Sequence, residues 1–172
     1  MLPIVPHAMR IKAATLAAVF ITTCAACGST TSASAAPISP FSELPGFTVT
    51  DVDPTDVDSA VASAEFDDLT AGIVSQNGVP MLRVLAGQVK SGNGDAFVHS
   101  YLETLSTRTG DGVGLPSETQ RLGNHVVTHF NIPLTAEGYT YAAGPTVVIA
   151  YVAPGSPPAT VEDGLTKILA NL

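Results

Sequence analysis

The sequence predicts an α+β fold: two layers, a mostly antiparallel sheet with helices packed on one face. Three observations lead there. Asn77-Gly78 and Gly123-Asn124 each separate two strand-like runs by two residues, which is the spacing of a tight hairpin. Two stretches carry apolar residues at helical spacing, one before and one after a late run of strands. The chain has no repeat at fixed period, which excludes solenoid and propeller architectures.

The elements follow in order. Asp53 before Pro54 suits a helix start, with an N-cap carboxylate and a proline at the first helical position. Val57, Val61 and Ala64 extend that helix over Pro54 to Ala64. Ala71 to Ser75 reads as a strand, Asn77-Gly78 as its turn, and Val79 to Val89 as the return strand, with Pro80 tolerated near its beginning. Asp95 is a candidate cap for a helix over Ala96 to Ser106, striped by Phe97, Val98, Tyr101, Leu102 and Leu105. Thr109 to Pro116 is a Gly-rich loop. Glu118 to Leu122 and His125 to Ile132 form a second hairpin, and Tyr139 to Ala142 and Thr146 to Ala153 complete a meander of about four strands. The last run is β-branched and almost wholly apolar, so it is expected at the centre of the sheet. A terminal helix carries Val161, Leu165, Ile168, Leu169 and Leu172.

Composition bounds the function. The chain has 172 residues and 45% hydrophobic content, enough for one packed core. Aromatics are 6% and Trp is absent, so that core rests on Val, Leu, Ile and Ala. The net charge of −8 and pI near 4.7 argue against a nucleic-acid binder, which needs a basic face.

The first residues read as an address. Arg10 and Lys12 precede an apolar run from Ala13 to Thr23, followed by the small residues Ala25 and Ala26. Met9 lies just before the basic pair and is an alternative start. The run is shorter than the roughly 20 apolar residues a membrane span requires, so cleavage is expected. Cys24-Ala25-Ala26-Cys27 resembles a bacterial lipobox, although Cys24 stands where that family prefers Leu. The resemblance implies a signal peptide over 1–26, acylation of Cys27, and a protein held at the extracytoplasmic face of the cell membrane. Ordinary secretion, with cleavage after Ala33-Ser34-Ala35, is the alternative. The only cysteines are Cys24 and Cys27, so the chain beyond the lipobox has no thiol for a disulfide, metal site or nucleophile. Residues 27–46 read as the acylated cysteine and a flexible Ser/Thr/Ala/Pro tether, and 47–172 as the single folded domain. All fifteen acids but only five of the seven basic residues follow Cys27, giving the mature chain a charge of −10. The element order, together with the lipobox, resembles small bacterial lipoproteins with a PsbP-like domain.

Several residue groups are candidates for chemistry. His125 and His129 would share a metal on a helix, but on a strand four residues span roughly 13 Å, so no metal site is expected. Val126, Thr128, Phe130 and Ile132 are assigned to the core face, and the histidines to solvent. His99 and Glu103 suit a weak helical pair. The acids Asp51, Asp53, Asp56, Asp58, Glu65, Asp67 and Asp68 lack an EF-hand spacing, and Asp53 and Asp56 fit better as complements to a helix N-terminus. Gly92-x-Gly94 precedes a helix but has no G-x-G-x-x-G or G-K-[ST], and Gly110-x-Gly112-x-Gly114 leads into Pro116, so both read as turns. No G-x-S-x-G or S-x-x-K occurs. Tyr139, Tyr141 and Tyr151 cluster in the late meander and are the candidate ligand or partner surface.

The expectation is a non-enzymatic, lipid-anchored envelope protein without cofactor, which binds a partner protein or an apolar, lipid-like molecule. The alternative is a small secreted hydrolase with its site near Gly110–Pro116.

Overall fold

The computed structural model describes residues 38–59, 61, 65–108 and 115–172. The export segment, Cys27 and most of the tether lie outside the described residues, as do 109–114 of the Gly-rich loop. The elements are β1 (Thr48–Asp51), α1 (Pro54–Val57), β2 (Phe66–Gln76), β3 (Val79–Val89), α2 (Gly94–Arg108), β4 (Ser117–Leu122), β5 (His125–Ile132), β6 (Ala136–Ala143), β7 (Thr146–Val152) and α3 (Pro158–Leu169). The seven strands form one antiparallel sheet in the order β1-β2-β3-β7-β6-β5-β4. The apolar run of β7 is therefore central, as its composition predicts.

Local chemistry fixes the turns and caps. Asn77 and Gly78 both have positive φ, 51° and 78°, as a type I′ hairpin turn demands. The Asp53 carboxylate accepts the Thr55 amide at 2.9 Å and caps α1, with Pro54 at the first position. Those bonds from Thr55 hold the Asp53 carboxyl below its ordinary range. The cap of α2 is Asn93 rather than Asp95: its side chain accepts the Ala96 amide at 3.0 Å. Asp95 sits instead in the first turn, where it complements the helix dipole.

The helices do not share one face, and here the two-layer expectation is corrected. Successive strand residues point to opposite faces. On one face, Leu82, Val84, Val148 and Ala150 pack with Val161, Leu165, Ile168 and Leu169 of α3. On the other, Leu85, Val147, Ile149 and Phe130 pack with Tyr101 and Leu105 of α2. The central strands are apolar on both faces, so each face needs its own cover. Each fully buried Leu or Ile of these layers contributes roughly 1.5–3 kcal/mol.

The same fact corrects the reading of β5. Phe130 and Ile132 do enter the α2-side core, but Val127 is buried on the α3 side and Val126 is 52% exposed. His125 and His129 share the face of Val127, and each is only partly exposed. Three bounds also shift. β1 is an additional strand, short, polar and at the edge. β2 begins at Phe66 rather than Ala71, with a register irregularity between Phe66 and Asp68 that admits Asp67 as an extra residue. α1 stops at Val57 because Asp58 turns to extended geometry, with φ −150°.

Candidate binding site

Three elements converge on one carboxylate. Asp58 follows α1, Tyr101 projects from α2, and Tyr151 from β7. The Tyr101 hydroxyl donates to Asp58 Oδ2 at 2.5 Å, and the Tyr151 hydroxyl donates to the same oxygen at 2.7 Å. The two phenol oxygens also meet each other. Burial pushes Tyr101 up, well beyond the ordinary phenol value, and the Tyr151 and Asp58 neighbours add to this. Burial also raises Tyr151; its bond to Tyr101 acts against that rise, and its bond to Asp58 with it. Both phenols are therefore fixed as protonated donors at neutral pH. They act as a clamp between helix and sheet, and neither is suited to abstract a proton.

Glycine places the ring of Tyr151. Gly138 is opposite both Phe130 and Tyr151 in the sheet. A Cβ at Gly138 would come within 2.5 Å of the Phe130 ring and of the Ala150 carbonyl oxygen. Phe130 occupies that space and meets Tyr151 edge-on, with ring centroids 5.9 Å apart at 90°.

Tyr151 borders two cavities. One, of about 370 Å³, is lined by Val57, Pro80, Arg83, Ala136 and Val152 among others. The second, of about 460 Å³, is lined by Leu105, Arg108, Ile132, Pro133 and Ala136 among others. A third depression runs from Ala136 and Val152 to Leu134 in the β5–β6 turn. Leu134 is fully exposed and holds φ at 62°, a left-handed conformation that branched apolar residues rarely adopt. Arg83 stands opposite Tyr151 in the β3–β7 register, and Arg108 ends α2. Neither arginine has a carboxylate partner among the described residues. Together these features form an apolar groove at one end of the sheet, with a guanidinium on either side of a phenol.

The tyrosines singled out from sequence do not form one surface. Tyr139 and Tyr141 share a strand face, as predicted, but that face is the one covered by α3. Tyr139 is buried there, and its ring lies over His129 with centroids 4.7 Å apart. The Tyr141 hydroxyl is 3.3 Å from His125 Nδ1. Tyr151 belongs to the opposite face, with α2.

The remaining candidates disperse. His129 is 21% exposed and sits between Glu118 and Glu137, with Nδ1 3.2 Å and Nε2 2.9 Å from their carboxylate oxygens. His99 pairs with Glu103 at 3.3 Å on the surface of α2, the predicted i,i+4 contact. His99 and Leu115 line a shallow cavity beside α2, while His129 and Glu118 line another next to Pro116. Among the described residues no three His, Asp, Glu or Cys side chains converge as a metal site. No helix among them is long and apolar enough to cross a membrane.

Arg83 and Arg108 were not singled out from sequence, and Asp58 enters there only as one of a run of acids weighed for calcium. Arg83 left a signal there: it is the one charged residue of a largely apolar strand, Val79–Val89. The pairing of Asp58 with the two tyrosines left none, since these partners lie 43 and 93 positions away. No family model matches this chain, nor does any curated protein or solved structure.

Proposed function

We propose that the protein is an exported, lipid-anchored envelope protein whose domain is a non-enzymatic binding module. Export and acylation at Cys27 are supported by the basic, apolar and small-residue order of the first 27 positions. Its element order, similar to lipoproteins with a PsbP-like domain, fits that placement. The observation that carries the binding role is the groove at Tyr151. It is apolar, its volume falls in the range of small-molecule sites, and a few polar groups converge on it. The clamp through Asp58 holds the phenol wall rigid, which limits the ordering cost of binding. Acylation supplies residence at the membrane, with two or more chains giving stable anchoring where one is marginal.

The anchor is tested by fractionation and intact mass. The expected mass is that of Cys27–Leu172 plus acyl chains, in the membrane fraction, with Cys27→Ala released to the soluble fraction. A lipid-free chain beginning near Ala36 would overturn the anchor and favour free secretion.

A further inference from the structure

We infer that the groove at Tyr151 takes an anionic amphiphile, with its charged head at Arg83 and Arg108 and its aliphatic body along Val57, Pro80, Ala136 and Val152. The inference deepens the binding reading and rests on it.

Charge selects the head. The chain carries fifteen acids against seven basic residues, yet among the described residues the two cavities that meet at Tyr151 are lined by an arginine each and by no carboxylate. Among the described residues neither arginine is held in an ion pair, so both guanidiniums are available to an anion at one site. Asp58 is the one carboxylate behind the groove, and both phenols donate to its Oδ2, which turns that charge inward. Glu137 borders the third depression, but His129 holds it at 2.9 Å. A guanidinium fork matches carboxylate and phosphate oxygens and suits them better than it suits a neutral hydroxyl.

Shape selects the body. Val57, Pro80, Ala136, Val152, Ala153 and Pro154 give the larger part of the lining beside Arg83. Leu134 extends the apolar track outward and is fully exposed in a conformation that costs energy. A small, purely polar anion would leave this surface in water. An aliphatic chain covers it.

The test uses the full chain carrying Cys27→Ser, so that no acyl group competes, with binding read by calorimetry and by amide shifts. Four probes are compared: laurate, dodecyl phosphate, dodecanol and inorganic phosphate. Laurate or dodecyl phosphate is expected to bind with shifts at Ala136, Tyr151 and Val152, and dodecanol at least tenfold more weakly. Arg83→Gln and Arg108→Gln are each expected to weaken the anionic probe about tenfold, with an unchanged melting temperature. Arg121→Gln, on the edge strand β4, is expected to change nothing. Preference for laurate over dodecyl phosphate identifies a carboxylate source, and the reverse identifies a phosphate source. Equal affinity for laurate and dodecanol overturns the anionic head while leaving the binding module standing. Equal affinity for inorganic and dodecyl phosphate overturns the aliphatic body. Failure of all four probes overturns the inference and the small-ligand reading together.

Discussion

Tyr151 and Asp58, 93 positions apart, share a hydrogen bond of 2.7 Å that ties the central strand to the residue closing α1. Tyr101 reaches the same oxygen from α2, so one carboxylate joins three elements. The arrangement has a consequence at high pH. In the folded chain burial holds both phenols above their ordinary value of 10. The unfolded chain releases those protons first, so their contribution is complete below pH 10 and is lost as pH rises beyond it. The urea midpoint is expected to be flat with respect to these groups from roughly pH 7 to 9 and to fall above 10. Tyr101→Phe is expected to shallow that fall. An unaltered slope in the variant would contradict the clamp.

Removing the acceptor is expected to cost more than removing one donor. Asp58→Ala leaves two partly buried hydroxyls without their carboxylate, a loss of about 1–3 kcal/mol, whereas Tyr151→Phe removes one bond and about 1 kcal/mol. Denaturant melts of the two variants check the order.

Thr140 is buried on β6, and its hydroxyl has no hydrogen-bond partner among the described residues. Valine has the same branched shape without the desolvated oxygen. Thr140→Val is therefore expected to stabilise the domain by about 1 kcal/mol, read as a rise of a few degrees in Tm.

Gly138→Ala is expected to destabilise by roughly 1–3 kcal/mol, because the new methyl meets both a ring and a backbone oxygen that cannot retreat. The displaced Phe130 ring would move Tyr151. Ligand affinity at the groove should fall together with stability, and a variant that lost neither would show that Phe130 does not support the phenol.

Leu134→Asn is expected to act in opposite senses on two readouts. Asparagine tolerates the left-handed backbone at φ 62°, so Tm should rise, by about 1 kcal/mol of stability. Amphiphile affinity should fall, because the exposed leucine is removed from the groove. Calorimetry beside a thermal melt separates the two.

Much of the architecture was legible in the residues because it is local. Asn77-Gly78 dictates its own turn, the β-branched run at Thr146 dictates a buried strand, and the stripes of α2 and α3 are read directly from spacing. What failed was long-range. The Val161–Leu169 stripe says that α3 buries one side, but not which face of the sheet receives it. The alternation in β5 looked like one core face and one wet face, because strands apolar on both sides give no such contrast. The short edge strand at Thr48 carries a single apolar residue, Val49, too little alternation to mark it out. The tyrosines were noticed as a residue type, yet only the fold shows that Tyr139 and Tyr141 are walls of one core and Tyr151 the boundary of another.

The sheet between the two helices also acts as a partition. Leu165 and Ile168 belong to the cluster of Leu82, Val84 and Val148, whereas Val57, Leu105, Ile132 and Tyr151 of the groove belong to the opposite one, and Val152 is the groove residue packed on the α3 side. The α3 compartment can therefore be repacked or weakened, away from Val152, while most of the recognition end keeps its shape. Leu165→Ala should lower stability by about 2–5 kcal/mol and leave groove affinity as it was, wherever the chain is still folded. Such insulation lets the mass that holds the fold and the few side chains that choose a ligand vary independently.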